Sequence, residues 1–330
     1  MDPLVFDPYF RPQIWGGRRL ERYLGKPLPA EGTFGEAWVL SAQSLHVSRV
    51  AEGPLQGVPL TELWASYADE LVGRLHAAPP QFPLLLKFLD CRELLSIQVH
   101  PDDRIAGQLC PGELGKTEAW VVIEAEPDAR IYAGLRRGTT QSDLERHLDA
   151  GTLAECLHSF VPEKGQCILL RAGTVHAAGG GVLMAEVQQS SDATFRLFDW
   201  NRPGPEGKPR ALHRQEALAS IDWSAGPVRP VAGSPISGLP GGNRGERLVA
   251  CPYFWIDRFR LAAPLDLPYP ERLSIWMVLE GAAELSSAAS GYRRRFSAGE
   301  TVLAPASTGS LHWAPTAEHG AATLLGVLAP

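Results

Sequence analysis

Residues 33–56 and 82–100 consist of short apolar stretches broken by Gly, Pro and charged residues, the punctuation of β-strands. Between them, residues 59–76 place Leu60, Leu63, Trp64, Tyr67, Leu71 and Leu75 at helical intervals and predict a helix. Trp120–Ile123 and Arg130–Ala133 are strand-like again. Residues 140–160 then predict one or two helices around Gly151, with Leu144, Leu148, Leu153 and Leu157 recurring. From Gly165 the β pattern returns. Short strands between Gly and Pro turns predict a mainly β protein, a barrel or sandwich with a few helices.

Near residue 224 the pattern breaks. Residues 224–247 are rich in Gly, Pro and Ser without periodicity, which predicts a linker or long loop. Strand patterns resume in 248–330, where Val278–Gly281 and Ala298–Thr301 predict two strands joined through glycine turns. The expected division is therefore a larger unit over 1–223 and a smaller β domain over 248–330.

Composition narrows the class. Over 330 residues, 45% are hydrophobic and 21% charged, as in an ordinary globular protein and unlike a disordered chain. A formal net charge of -6 argues against a nucleic-acid partner, which calls for a basic stripe, but leaves room for a local basic pocket. Residues 1–15 carry Asp2, Asp7 and Arg11 and lack the apolar core of a secretory signal. The apolar run 82–89 is too short to span a bilayer and contains Lys87, so no membrane partner is expected. Cys91, Cys110, Cys156, Cys167 and Cys251 show no C-x-x-C spacing and are expected as reduced thiols. The expected compartment is the cytoplasm.

Candidate chemistry lies between residues 82 and 202. In the strand-like run 94–101, Ile97 and Val99 alternate with Ser96, Gln98 and His100, so three polar side chains share one face. On a surface strand that face meets water; in a barrel it lines the cavity. Lys116 and Glu118 share a face of the next strand, and His176 stands at a strand end before Gly179, Gly180 and Gly181. Gln98, His100, Glu118 and His176 could offer two nitrogens and two oxygens to a borderline divalent cation such as zinc. Taken singly, each also suits an ordinary structural role.

The strings LLLKFLDCRELLSIQVHPDD (84–103), GKTEAW (115–120), AGTVHA (172–177) and EVQQSSDATFRLFDWNR (186–202) occur in an order that resembles the class I mannose-6-phosphate isomerases, in their short bacterial form. Trp15-Gly16-Gly17 and Gly35-Glu36-Ala37-Trp38 resemble the same family's N-terminal region. The resemblance implies cupin, or jelly-roll, β-barrels: a metal-binding barrel plus a C-terminal cupin-like domain that binds no metal, although it contains His312 and His319. It implies one Zn²⁺ per chain, or another divalent metal, held by Gln98, His100, Glu118 and His176. The implied substrate is a small phosphorylated hexose, and the implied reaction interconverts mannose 6-phosphate and fructose 6-phosphate through a cis-enediolate.

By the same resemblance Arg196 stabilises the enediolate, and Lys116 or Glu186 carries the proton, with metal-bound water a third candidate. Repulsion by the cation lowers a lysine pKa, which modestly favours Lys116. Ser96 and Lys87 are implied at the phosphate, although Lys87 could instead pair with Asp90 or Glu93. Two departures, Ala37 for a common Ser and the three glycines after Ala178, are expected to widen the pocket. Two other functions are open to the scaffold: a non-catalytic sugar-phosphate binder, and a cupin iron oxygenase using His100, Glu118 and His176.

Overall fold

The computed structural model describes residues 1–73, 78–204, 207–267, 269 and 271–329. In chain order these form β1 (Tyr9–Gly17), α1 (Arg19–Leu24), β2 (Phe34–Leu40), β3 (Ala42–Gln43), β4 (His46–Val47), α2 (Leu60–Ser66), α3 (Ala68–Val72), β5 (Leu84–Cys91), β6 (Ile97–Val99), α4 (Asp103–Leu109), β7 (Glu118–Ala125) and β8 (Arg130–Leu135). Next come α5 (Gln141–Ala150), a 3-10 turn (Leu153–Cys156), β9 (Leu157–Phe160), β10 (Cys167–Leu170), β11 (His176–Gly179), β12 (Val182–Gln189), β13 (Phe195–Phe198) and α6 (Arg214–Ser220). The remainder is β14 (Ser234–Ile236), β15 (Arg244–Ala250), β16 (Trp255–Leu261), β17 (Leu265–Asp266), β18 (Ser274–Ser286), β19 (Arg293–Ser297), β20 (Thr301–Ala304), β21 (His312–Pro315) and β22 (Ala322–Leu328).

A six-stranded sheet in the order β1-β2-β5-β12-β7-β10 faces a five-stranded sheet in the order β13-β6-β11-β8-β9. Strand alternation sorts their side chains. On β5, Leu84, Leu86 and Phe88 point one way, and Lys87 and Leu89 the other. On β7, Ala119, Val121 and Ile123 point away from Glu118, Trp120 and Val122. The polar positions of both strands therefore look into the space between the two sheets. Ile97 and Val99 turn outward to pack with Leu144, Leu197 and Ala217, which sends Gln98 inward.

The outward apolar face of the six-stranded sheet does not meet water. It packs on a sheet of nine strands, built from the C-terminal third, through Ile256, Met277, Leu325 and Val327. Burying each such side chain contributes about 1.5–3 kcal/mol. Residues before and after 224 thus share one core, and Leu4 exchanges backbone hydrogen bonds of 2.8 and 2.9 Å with Leu303. The mainly β, cupin-type architecture expected from the sequence is met.

Several local expectations change. Within 59–76 the helix is broken at Tyr67 into α2 and α3, which ends at Val72; residues 74–76 lie outside the described residues. Within 140–160 only α5 and the 3-10 turn are helical, because Gly151 at φ 69° caps α5, and 157–160 form the edge strand β9. The Leu153 and Leu157 repeat had mimicked a helical stripe. The stretch 224–247 contains β14 and the start of β15. Pro235 is tolerated because β14 is an edge strand. Val278–Gly281 makes no turn: β18 runs through it with a bulge, and Gly281 takes φ 73° where a Cβ would lie 2.4 Å from the Ala321 carbonyl oxygen. All five cysteines are free thiols, and among the described residues no helix is long and apolar enough to cross a membrane.

Candidate active site

The cross-strand register assembles the candidate ligands. β6 lies between β13 and β11, so Arg196 pairs with Gln98, and Gln98 with His176, in one row. Glu118 opens β7 on the facing sheet, and His100 follows β6. Glu118 Oε2 lies 3.4 Å from His100 Nε2, and Glu118 Oε1 lies 3.3 Å from His176 Nε2. All three residues are buried.

Their protonation follows from their partners. His100 Nδ1 sits 2.8 Å from the Ala193 carbonyl, and His176 Nδ1 sits 2.8 Å from the Thr174 carbonyl. A carbonyl can only accept, so each Nδ1 carries the proton. Burial, then Lys116, pushes His100 down to about 3, and burial also lowers His176, so both rings are neutral. Each Nε2 therefore turns a lone pair toward Glu118. Burial opposes ionisation of Glu118, yet the Lys116 ammonium holds its pKa well below the carboxylate range. Among the described residues the one cation beside Glu118 is Lys116, whose Nζ lies 3.0 Å from Oε2, while Oε1 accepts no hydrogen bond.

Buried lone pairs facing buried lone pairs are unfavourable unless a cation joins them. The donor atoms of His100, Glu118 and His176 all lie within 4.8 Å of one another, and imidazole with carboxylate suits a borderline divalent ion. These residues fit a metal. Gln98 presents Nε2 to His176 Nε2 at 3.4 Å, while its Oε1 accepts from Ser96 Oγ at 3.1 Å. A half-turn of the amide would bring its oxygen to the cluster and let its nitrogen donate to Ser96 instead. Lys116 Nζ stands 3.0 Å from Glu118 Oε2 and 3.2 Å from His100 Nε2.

Beside this cluster opens a cavity of about 380 Å³, lined by five cationic side chains (Arg11, Lys87, Lys116, Arg196, Arg210) and three acidic ones (Glu36, Glu186, Asp192). Lys87 does not pair with Asp90 or Glu93. Its Nζ lies 3.5 Å from Glu36 and 3.3 Å from Glu186, its cross-strand neighbour, and 5.1 Å from the centre of the Trp38 ring. Burial disfavours the Lys87 charge, but Glu186 and Glu36 outweigh it and raise the pKa. Asp90 is taken by Arg19. Glu186 accepts from Trp120 Nε1 at 2.9 Å, and burial raises its pKa against the pull of Lys87.

Arg196 donates from Nε to Ser96 Oγ at 3.3 Å and from Nη1 to the Ala211 carbonyl at 2.9 Å. Burial and nearby Arg210 lower its pKa, and among the described residues no carboxylate forms a salt bridge with it. Arg210 is clamped by Asp199 at 2.6 and 2.7 Å. The chain doubles back there through left-handed Trp200 and Asn201, at φ 57° and 53°. Such backbone costs about 1–2 kcal/mol per residue, offset by Trp200 Nε1 donating to the Leu95 carbonyl at 2.6 Å.

All nine residues singled out from the sequence lie in this cluster or line the cavity. The reading missed Arg11, Gln13, Glu36, Asp192 and Arg210. Arg11, Gln13 and Trp15 had a signal, since they alternate along β1. Arg210 had none, because it lies in irregular chain. The two departures do not widen the cavity: Ala37 packs in the core shared with the C-terminal sheet, and Gly179, Gly180 and Gly181 stand against residues 93–94, 126 and 128–129 and Arg19. Gly35 does shape the wall, since a Cβ there would fall 2.4 Å from the Trp15 ring. Gly35→Ala is expected to cost about 1–3 kcal/mol in thermal or urea denaturation; an unchanged midpoint would show that Trp15 yields freely.

The model of the type I phosphomannose isomerase catalytic domain matches residues 4–132. The chain is 35% identical over 305 residues to mannose-6-phosphate isomerase ManA of Bacillus subtilis, covering 92% of this chain and 93% of that protein. It is 33% identical over 299 residues to the mannose-6-phosphate isomerase of Streptococcus mutans, covering 89% and 90%. The crystal structure of mannose 6-phosphate isomerase from Bacillus subtilis superposes with a TM-score of 0.89 at 30% identity over 99% of each chain. A mutant phosphomannose isomerase of Salmonella typhimurium shares the fold, with a TM-score of 0.77 at 17% identity over 100% of each chain.

Proposed function

The chain belongs to the type I phosphomannose isomerase family, and from that premise we propose that it is a metal-dependent aldose–ketose isomerase interconverting mannose 6-phosphate and fructose 6-phosphate. The observation that carries this reading is the buried cluster of His100, Glu118 and His176, whose donor atoms lie within 4.8 Å of one another beside a cavity rich in cations. The proposed ligands are Gln98, His100, Glu118 and His176, and the proposed ion is zinc, which accepts this mixture of nitrogen and oxygen. When bound, the ion would supply Lewis-acid polarisation of a sugar oxygen.

The protein's own groups do the rest. Glu186 pairs with Trp120 and Gln188 with Glu118, which places Glu186 two residues, or about 7 Å, along the strand from the metal cluster. That separation leaves room for the reacting carbons of the open-chain sugar. Burial raises the Glu186 pKa, which makes it a better base near neutrality than an exposed glutamate. We therefore assign the C2-to-C1 proton transfer to Glu186, and to Lys116 the role of a donor fixed by Glu118. Arg196, a cation without a carboxylate partner among the described residues, stabilises the enediolate.

Ser96 and Lys87 receive the phosphate. Arg210 adds positive charge to the same cavity, since Glu36 and Glu186 already share Lys87. Residues 1–223 carry the site, and 248–330 form a packing platform. The enzyme is assigned to the cytoplasm, in keeping with its free thiols. The test is turnover of mannose 6-phosphate to fructose 6-phosphate by metal-loaded protein. Arg196→Ala is expected to lower kcat about 10²–10³-fold. Absence of turnover by the wild type would overturn the reading and favour a sugar-phosphate binder.

A further inference from the structure

We infer that Gln189, held by Asp103 and through it by Tyr253 of the turn between β15 and β16, is a positioning residue for the Lys116–Glu118 segment. The inference rests on the reading of that segment as part of the metal site. Residues 111–117 form no helix or strand, so their backbone groups need partners from elsewhere. Those partners include Asp103 and Gln189, which lie in the 84–103 and 186–202 strings but have no part in the proposed chemistry. Gln189 Oε1 accepts from the Thr117 N–H at 2.8 Å, and the Gln189 N–H donates to the Thr117 carbonyl at 3.1 Å. Gln189 is itself buried, so solvent does not compete for these bonds.

The amide nitrogen of Gln189 then donates to Asp103 Oδ1 at 3.0 Å, and the same oxygen accepts from the Gly115 N–H at 2.8 Å. Lys116 N–H donates to the Pro101 carbonyl at 2.9 Å. Residues 115, 116 and 117 are thus each tied by their N–H to the 101–103 loop or to the end of β12. Gly115 is needed for this approach, since a Cβ there would fall 2.4 Å from the Asp103 nitrogen. Asp103 Oδ2 accepts from the Tyr253 hydroxyl at 2.9 Å. The C-terminal third therefore does more than cover an apolar face. It anchors a hydrogen-bond chain that ends one residue from Glu118.

Such a chain fixes where the Glu118 carboxylate points without touching metal or substrate, as supporting groups around metal ligands do. The experiment compares Gln189→Ala, Asp103→Ala, Asp103→Asn and Tyr253→Phe in the full chain. It measures the Zn²⁺ dissociation constant by competition with a chelating dye, kcat and KM at saturating metal, and the thermal midpoint. Gln189→Ala is expected to weaken Zn²⁺ binding and lower kcat by about 10–100-fold, with KM little changed. Asp103→Ala moves both in the same direction, and Asp103→Asn recovers most of the loss because its carbonyl still accepts from Gln189 and Gly115.

If Gln189→Ala does not fold, the partly exposed Asp103 and Tyr253 variants carry the test. Unchanged Zn²⁺ affinity with a lowered thermal midpoint would overturn the inference, as would an Asp103→Asn loss equal to that of Asp103→Ala. Zn²⁺ affinity remains readable if the wild type proves inactive on mannose 6-phosphate. Failure of the proposed reaction is thereby distinguished from failure of the positioning role.

Discussion

Glu118→Gln is expected to release the metal and abolish isomerase turnover, as a chelator should in the wild type. Glu118 is the only anion among the four proposed ligands, and it is buried between His100 and His176. Two unit charges about 4 Å apart interact by about 4 kcal/mol at an effective dielectric of 20, and a dication doubles that. Metal affinity should therefore fall by at least about 1,000-fold. The check is metal content after gel filtration, with turnover before and after adding back Zn²⁺. Chelated wild type regains activity with added metal and the variant does not. A Glu118→Gln protein that keeps one metal per chain would remove Glu118 from the ligand set. Iron in place of zinc in the wild type would revive the oxygenase reading.

Glu186→Gln is expected to lower kcat by about 10²–10⁴-fold while leaving KM and metal content nearly unchanged. Burial raises the Glu186 pKa, and a general base works in its ionised form. Wild-type kcat must therefore fall as pH drops through that raised value, on an acid limb displaced upward from that of an exposed glutamate. The variant has no such limb. It should remain folded, because Lys87 keeps Glu36 at 3.5 Å. Exchange of the substrate C2 proton with deuterated solvent should be lost in parallel. A variant that keeps both the limb and a rate within about tenfold of wild type would shift the proton transfer to Lys116.

The charged floor of the cavity separates these two effects. Burial raises the Glu36 pKa, but Lys87 and Arg11, with hydrogen bonds from Trp38 Nε1 and Gln13 Nε2 at 2.6 Å each, bring it below the usual value. A depressed carboxylate stabilises the fold above its unfolded pKa, and that contribution fades as pH falls through the folded value. Glu186 has the opposite shift, so its ionisation favours the unfolded chain as pH rises through its raised pKa. Neighbouring carboxylates that share Lys87 thus titrate apart.

Much of the site was legible because strand periodicity is local. Ser96, Gln98 and His100 against Ile97 and Val99, and Lys116 with Glu118, declare a polar and an apolar face within a few residues. The ordered strings identify the same residues by resemblance. Helix ends were less legible. The apolar spacing of Leu153 and Leu157 suits a helix, a 3-10 turn or the start of a strand, and Gly151 decides only where the first helix stops. The Gly- and Pro-rich 224–247 stretch reads as a loop because propensity is blind to an edge strand that needs few ladder bonds.

The chain by itself therefore determined the β class, which polar residues share a strand face, and the absence of C-x-x-C cysteine spacing. Tertiary structure decided what each inward group meets. β12 inserts between β5 and β7, strands distant from it in sequence, and only that order brings Glu186 to Lys87 and Trp120. The carbonyls that set the tautomers of His100 and His176 depend on backbone geometry that residue type does not specify. Arg210 is held at the cavity by Asp199, and Tyr253 reaches Asp103 across 150 residues. Periodicity tells which side of a strand a residue occupies; partner identity depends on sheet order and closure, which are properties of the whole chain.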